Sequence, residues 1–115
     1  MPWLSTPFVD AKTTIKGNGP WRTFGGATVF YDAAQLTSVP TVAINNDEYG
    51  AFVETGWYVW TGTETGGVAT GWSCDFWQAS NFTYGTVGRT GSITGWTEVD
   101  TFDCGWDARV YCFEQ

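Results

Sequence analysis

The sequence contains no histidine, one methionine and only five basic residues among 115. Without histidine, the chain lacks the side chain that most often acts as a general base near neutral pH. The five cations are scattered and stand against twelve carboxylates, which gives a net charge of −7. Nucleic acids and anionic membranes bind clustered lysine and arginine. We therefore expect neither as a partner.

Long apolar runs are also missing. No stretch approaches the length that crosses a bilayer, so membrane insertion is not expected. The opening residues, MPWLSTPFVDAK, lack the charged start and apolar centre of a signal peptide. We expect a mature or shortened chain, or export by another route.

Aromatic residues and glycine are abundant instead, with eight Trp, eight Phe, five Tyr and 15 Gly. Large rings fill a core with few residues, which leaves the remainder for turns. Good helix formers are scarce, and a chain of this length makes about one domain. The composition predicts a single α+β domain over residues 1–115, dominated by strands, with long Gly/Thr/Ser-rich loops and little helix.

Several segments have the pattern of short regular elements. Asp32 is placed to cap a helical turn over 33–37, and another turn is expected near 9–14. The short apolar segment at residues 73–80 is compatible with either a strand or a helical turn. The predicted strands, which are rich in β-branched and aromatic residues, are ATVFYD (27–32), GWYVWTGT (56–63) and ARVYCFEQ (108–115).

Two later segments read as loops. Residues 81–96 are rich in Gly, Thr and Ser, and residues 98–107 carry Glu98, Asp100, Asp103 and Asp107. Long glycine-rich loops in a compact domain are usually functional or cross-linked.

Four motifs carry a resemblance that extends over nearly the whole chain. They resemble the endostatin-like domain of animal collagens and, more closely, a related bacterial extracellular family of unknown function. Both have a C-type-lectin-like fold, so the resemblance implies a secreted or surface-displayed domain of that fold. The motifs are VWTGTETGG (59–67), CDFWQAS (74–80), GTVGRTGSITGW (85–96) and CGWDARVYCFEQ (104–115).

The resemblance also implies a disulfide between Cys74 and Cys104, which closes the long loop and needs an oxidising compartment. The last cysteine of such domains pairs with one in an N-terminal helix, and this chain has neither that cysteine nor a convincing first helix. Cys112 is then expected to be a buried free thiol or to pair with another chain. Spacing alone leaves a Cys104–Cys112 pairing open.

Three tryptophans flank the long loop: Trp72, Trp96 and Trp106. An exposed indole there can stack on the flat face of a sugar, although filling a loop core is the alternative role. Asp100 and Asp103 suggest a ligand-binding or calcium-binding loop. No EF-hand pattern is present, and the motifs of calcium-dependent sugar-binding lectins are missing. A solvated acidic loop is therefore preferred, and we expect no metal and no cofactor.

These observations do not favour an enzyme, because the usual nucleophile–base and metal arrangements are missing. The sequence favours a non-catalytic binding or adhesion module with a carbohydrate or protein ligand at the long loop, held without calcium. The alternative is a structural subunit of an extracellular assembly or filament. In that case self-association would cover the face left by the missing helix, and Cys112 would lock the contact.

Overall fold

The computed structural model describes residues 1–114 and shows an α+β architecture dominated by strands, with 25 % of residues in strands and 11 % in helices. This confirms the predicted class. The strands within residues 1–114 are β1 (Trp21–Arg22), β2 (Thr28–Phe30), β3 (Tyr58–Trp60), β4 (Tyr84–Arg89), β5 (Asp100–Asp103) and β6 (Arg109–Val110). The helical elements are α1 (Ala11–Thr14), a 3-10 helix (Ala33–Thr37) and one turn at Cys74–Trp77.

Four of the strands form the main sheet, in the order β5-β4-β3-β6. β4 pairs antiparallel with β3 and β5, whereas β6 pairs parallel with β3. β3 combines a β-branched residue with two aromatic residues, which suits an inner strand. Its Val59 is completely buried opposite Gly88. β1 and β2 form a separate antiparallel pair.

Several sequence predictions are confirmed in shortened form. β2 and β3 lie inside the predicted strands, and the backbone N–H of Gln35 donates to the Asp32 carboxylate at 2.9 Å, which caps the 3-10 helix. The predicted closing strand is reduced to β6 and a single bridge between Cys112 and Pro2. Its last residue, Gln115, lies outside the described residues.

The predicted loops at 81–96 and 98–107 are wrong in part, because they contain β4 and β5. Glycine weakened the strand signal of β4, yet each glycine is required by a close approach. A Cβ added at Gly85 would lie 2.7 Å from the Cys74 Sγ. A Cβ at Gly88 would overlap the carbonyl oxygen of Trp96.

The core is built from aromatic rings rather than aliphatic side chains. The ring centroids of Trp96 lie 5.0 Å from those of both Trp3 and Phe30. Phe113 approaches Trp3 and Phe30 at 5.8 Å each. Trp3, Phe30 and Trp96 are fully buried. Few residues therefore exclude much water.

Buried hydroxyl groups attach the N-terminal segment to the sheet. The Trp3 indole N–H donates to Thr97 Oγ1 at 2.9 Å, and the hydroxyls of Ser5 and Thr63 lie 2.8 Å apart. Thr97 Oγ1 in turn donates to the carbonyl of Thr63 at 3.0 Å. These four residues are fully buried, so satisfied polar groups hold the segment in place without a long helix.

Candidate functional site

The segment Cys74–Trp77 forms one turn of left-handed helix without any glycine. Its four φ angles lie between 50° and 64°. The Trp77 N–H donates to the carbonyl of Ser73 at 2.6 Å, and the Gln78 N–H donates to that of Cys74 at 3.1 Å. Such a conformation costs an L-residue roughly 1–2 kcal/mol. The predicted helical turn is thus present with the opposite hand, and strain of this kind concentrates at functional sites.

Covalent and polar contacts fix both ends of this left-handed turn. Cys74 is bonded to Cys104 over a sequence separation of 30, which confirms the predicted disulfide. The Trp77 indole N–H donates to the carbonyl of Ser5 at 2.9 Å, and its ring lies 6.1 Å from that of Trp60. The side chains between the two ends are therefore held in place.

The left-handed turn and the start of β4 border an open groove of about 460 Å³, which we call the turn groove. Two half-exposed rings form one corner of it: those of Trp72 and Tyr84, whose centroids are 6.2 Å apart at an interplanar angle of 88°. Phe76 adds a third exposed ring and lies 5.7 Å from Phe8. The groove thus presents flat apolar surfaces at right angles.

Polar groups accompany these rings. The exposed side chains of Asp75 and Asn81 line the turn groove. Ser73 lines it as well, and its buried Oγ has no hydrogen-bond partner among residues 1–114. An unsatisfied buried hydroxyl is uncommon in folded proteins. The surface of the turn groove therefore combines stacking rings with a carboxylate and an amide, whereas the Ser73 hydroxyl lies buried beneath it.

A second groove of about 480 Å³ lies beside the first, and we call it the strand groove. Trp72 lines both grooves. The hydroxyls of Thr70 and Thr86 lie 2.6 Å apart in this lining. The exposed carboxylates of the strand groove belong to Glu64, Glu98 and Asp100.

The structure separates the five predicted site residues. Trp72 and Asp100 line the strand groove together. Asp103 lies in β5 opposite Tyr84, and its carboxylate accepts from the Gly105 N–H at 2.8 Å. Trp106 is 65 % exposed and contacts another group of rings. Trp96 is buried in the core, where its indole donates to Ser38, so its ring offers no surface to a ligand.

Trp106 belongs to a row of aromatic residues on the main sheet. Its ring lies 5.7 Å from Phe102, which lies 4.2 Å from Tyr58. Arg89 covers Tyr58 at 5.1 Å and donates to its hydroxyl at 2.9 Å. The side chain of Arg89 therefore both stacks on Tyr58 and forms a hydrogen bond with it.

Cys112 is exposed and unpaired. This corrects the alternative in which it is a buried thiol. Its solvent-facing position arises because Tyr111 and Phe113 on either side point into the core. Burial raises the pKa of the Tyr111 hydroxyl, since an ionised phenol loses its hydration there.

Neither groove is lined by lysine or arginine. Within residues 1–114, no three His, Cys, Asp or Glu side chains group closely enough to hold a metal ion. The grooves therefore offer stacking and hydrogen bonding in a negative field.

Searches of the chain against protein-family models, curated proteins and solved structures give no match. No helix in the described part of the chain is long and apolar enough to cross a membrane.

Sequence reasoning identified Trp72 but missed its neighbours in the turn groove. The composition of residues 81–96 predicts a loop at Tyr84. Asp75 and Phe76 carry no signal of left-handed backbone, because neither is glycine or asparagine. The motif CDFWQAS did mark the right segment through its cysteine. The hand of the turn decides which side chains of that segment are exposed. The sequence pattern does not indicate that hand.

Proposed function

We propose that this chain is a non-catalytic binding or adhesion module of the extracellular space, with a C-type-lectin-like (endostatin-like) architecture. It holds a carbohydrate or protein ligand in the turn groove without calcium. The resemblance predicted the Cys74–Cys104 disulfide, which supports both the architecture and an oxidising location. The lack of histidine supports a non-catalytic role.

One observation carries this proposal: the half-exposed, perpendicular pair of Trp72 and Tyr84 at the corner of the turn groove. Exposed aromatic rings are costly in water and are enriched at binding sites. The volume of about 460 Å³ lies in the range of ligand sites. The disulfide and the left-handed turn hold the adjoining lining, which lowers the entropy that binding would cost.

The test is a screen of the labelled protein against arrays of glycans and of extracellular proteins, with two tryptophan variants. We expect Trp72→Ala to weaken binding of any hit at least about tenfold. Trp106→Ala is the matched control, because it removes an equally large exposed indole outside both grooves. Full affinity in Trp72→Ala, with loss in Trp106→Ala, would place the site on the other aromatic row.

A structural subunit of an extracellular assembly is the second candidate, and the exposed thiol of Cys112 favours it. A solvent-facing cysteine in an oxidising compartment is free to join another chain. Sedimentation velocity over a wide range of protein concentrations, with and without reductant, tests this candidate. Disulfide-linked oligomers that disappear in Cys112→Ser would support the assembly, whereas a monomer under all conditions would exclude it.

A further inference from the structure

We infer that the ligand is a linear oligosaccharide with free amino groups, which crosses Trp72 and occupies both grooves. This inference rests on the proposed function and names the ligand class for the same site. It follows from three features of the surface: the shared indole, the angle between the rings, and the charge of the lining.

The shared indole argues for an extended ligand. Trp72 is 52 % exposed and lines the turn groove and the strand groove alike. The two grooves measure about 460 Å³ and 480 Å³, and each is large enough for a small-molecule ligand. A ligand unit stacked on Trp72 can therefore continue on both sides, which suits a chain of linked sugars.

The rings and hydroxyls argue for a sugar. A pyranose has one flat apolar face and a rim of hydroxyl groups. Trp72 offers a flat surface for the face, and Tyr84 stands at 88° to it as a wall. Around them are an amide at Asn81 and a hydroxyl at Thr101, both exposed. Alternating stacking and hydrogen-bonding groups match the surface of a sugar chain.

The charges argue for amino groups. Carboxylates line both grooves, at Asp75 in the turn groove and at Glu64, Glu98 and Asp100 in the strand groove. No basic side chain lines either groove, and the whole chain carries a net charge of −7. Anionic sugars would be repelled, whereas protonated amines are attracted to the carboxylates and to the face of an indole.

Isothermal titration with β-1,4-linked glucosamine oligomers tests the inference, with N-acetylglucosamine oligomers of equal length as the comparison. We expect affinity to rise from the monomer to the tetramer. At low ionic strength and mildly acidic pH, where the amines are protonated and carboxylates stay ionised, the amine tetramer should bind about fivefold to tenfold more tightly than the acetylated one. That difference should vanish near about 1 M salt, where the screening length is about 3 Å.

Variants locate the two halves of the site. Glu98→Gln in the strand groove and Asp75→Asn in the turn groove should each reduce the preference for the amine tetramer by about twofold, since four carboxylates share it. Asp107→Asn removes an exposed carboxylate that lines neither groove and should leave the preference unchanged. Trp72→Ala should weaken the binding of both tetramers.

The outcomes separate this inference from the proposed function. Equal affinity for monomer and tetramer would overturn the extended site, and equal affinity for amine and acetylated tetramers would overturn the role of charge. If neither series binds but a ligand of another class binds at Trp72, the inference fails and the proposed function stands. If no ligand of any class depends on Trp72, the proposed function itself fails.

Discussion

Single residues decide how closely neighbouring segments of the chain can pack against β4. Gly88 faces the backbone carbonyl of Trp96, and Gly85 faces the disulfide sulfur of Cys74. In sequence both glycines indicate a loop, whereas in the structure they allow β4 to pack tightly. The same residues that hid the strand from the pattern are thus those that make it possible.

Replacing Gly88 with alanine should lower the free energy of unfolding by about 3 kcal/mol, because the added Cβ overlaps backbone that cannot move aside. Denaturant unfolding measures this change. Gly25→Ala is the matched control: its Cβ would meet only ordinary contacts at 3.5 Å, so stability should change by less than about 0.5 kcal/mol. Similar losses in both variants would contradict the account of β4.

Tyr111 should make the protein less stable in alkali. Burial raises its pKa above the ordinary value of 10.0, so above that pH the unfolded chain ionises while the folded chain resists. The neutral Tyr111 phenol therefore contributes stability below pH 10 that is lost as the pH rises. The free energy of unfolding should fall by about 1.4 kcal/mol per pH unit. Denaturant unfolding between pH 9 and 11.5 tests this by comparing the protein with Tyr111→Phe. If the free energies of unfolding of both fell in parallel with pH, Tyr111 would not be the cause.

At the scale of elements, the predictable parts are those whose signal is local. β3 is a run of aromatic and β-branched residues, and the 3-10 helix begins at a capping aspartate, Asp32. The left-handed turn at Cys74–Trp77 could not be predicted. The turn is held by the disulfide at one end and by the indole of Trp77 at the other, and both contacts are distant in sequence.

Replacing Asp75 with glycine should raise the free energy of unfolding by about 0.5 kcal/mol. Glycine removes the roughly 1–2 kcal/mol cost of a left-handed residue and adds a smaller entropic cost. Asp100→Gly, at an exposed aspartate in β5, gains no such relief and should lose about 0.5–1 kcal/mol. Denaturant unfolding of both variants measures the contrast; equal losses would show that Asp75 is not strained.

At the scale of the whole molecule, an aromatic core and an acidic surface leave two grooves around one exposed indole. The composition predicts a β-rich single domain and predicts no nucleic acid or anionic membrane as a partner. The sequence singles out Trp72, Trp96 and Trp106 equally, because a tryptophan beside a loop has the same sequence pattern whether its ring is buried or exposed. Only the packing of Trp96 against Trp3 and Phe30 separates the core residue from the site residue.

The most direct test of the account follows the indole N–H signals of the eight tryptophans by ¹⁵N–¹H NMR during titration with ligands from the array screen. Within residues 1–114, four of these groups donate to protein acceptors, at Trp3, Trp21, Trp77 and Trp96. We expect the Trp72 signal to shift first and most, while those of Trp3 and Trp96 stay fixed. A shift centred on Trp106, with Trp72 unchanged, would contradict the claim that the grooves at Trp72 bind the ligand.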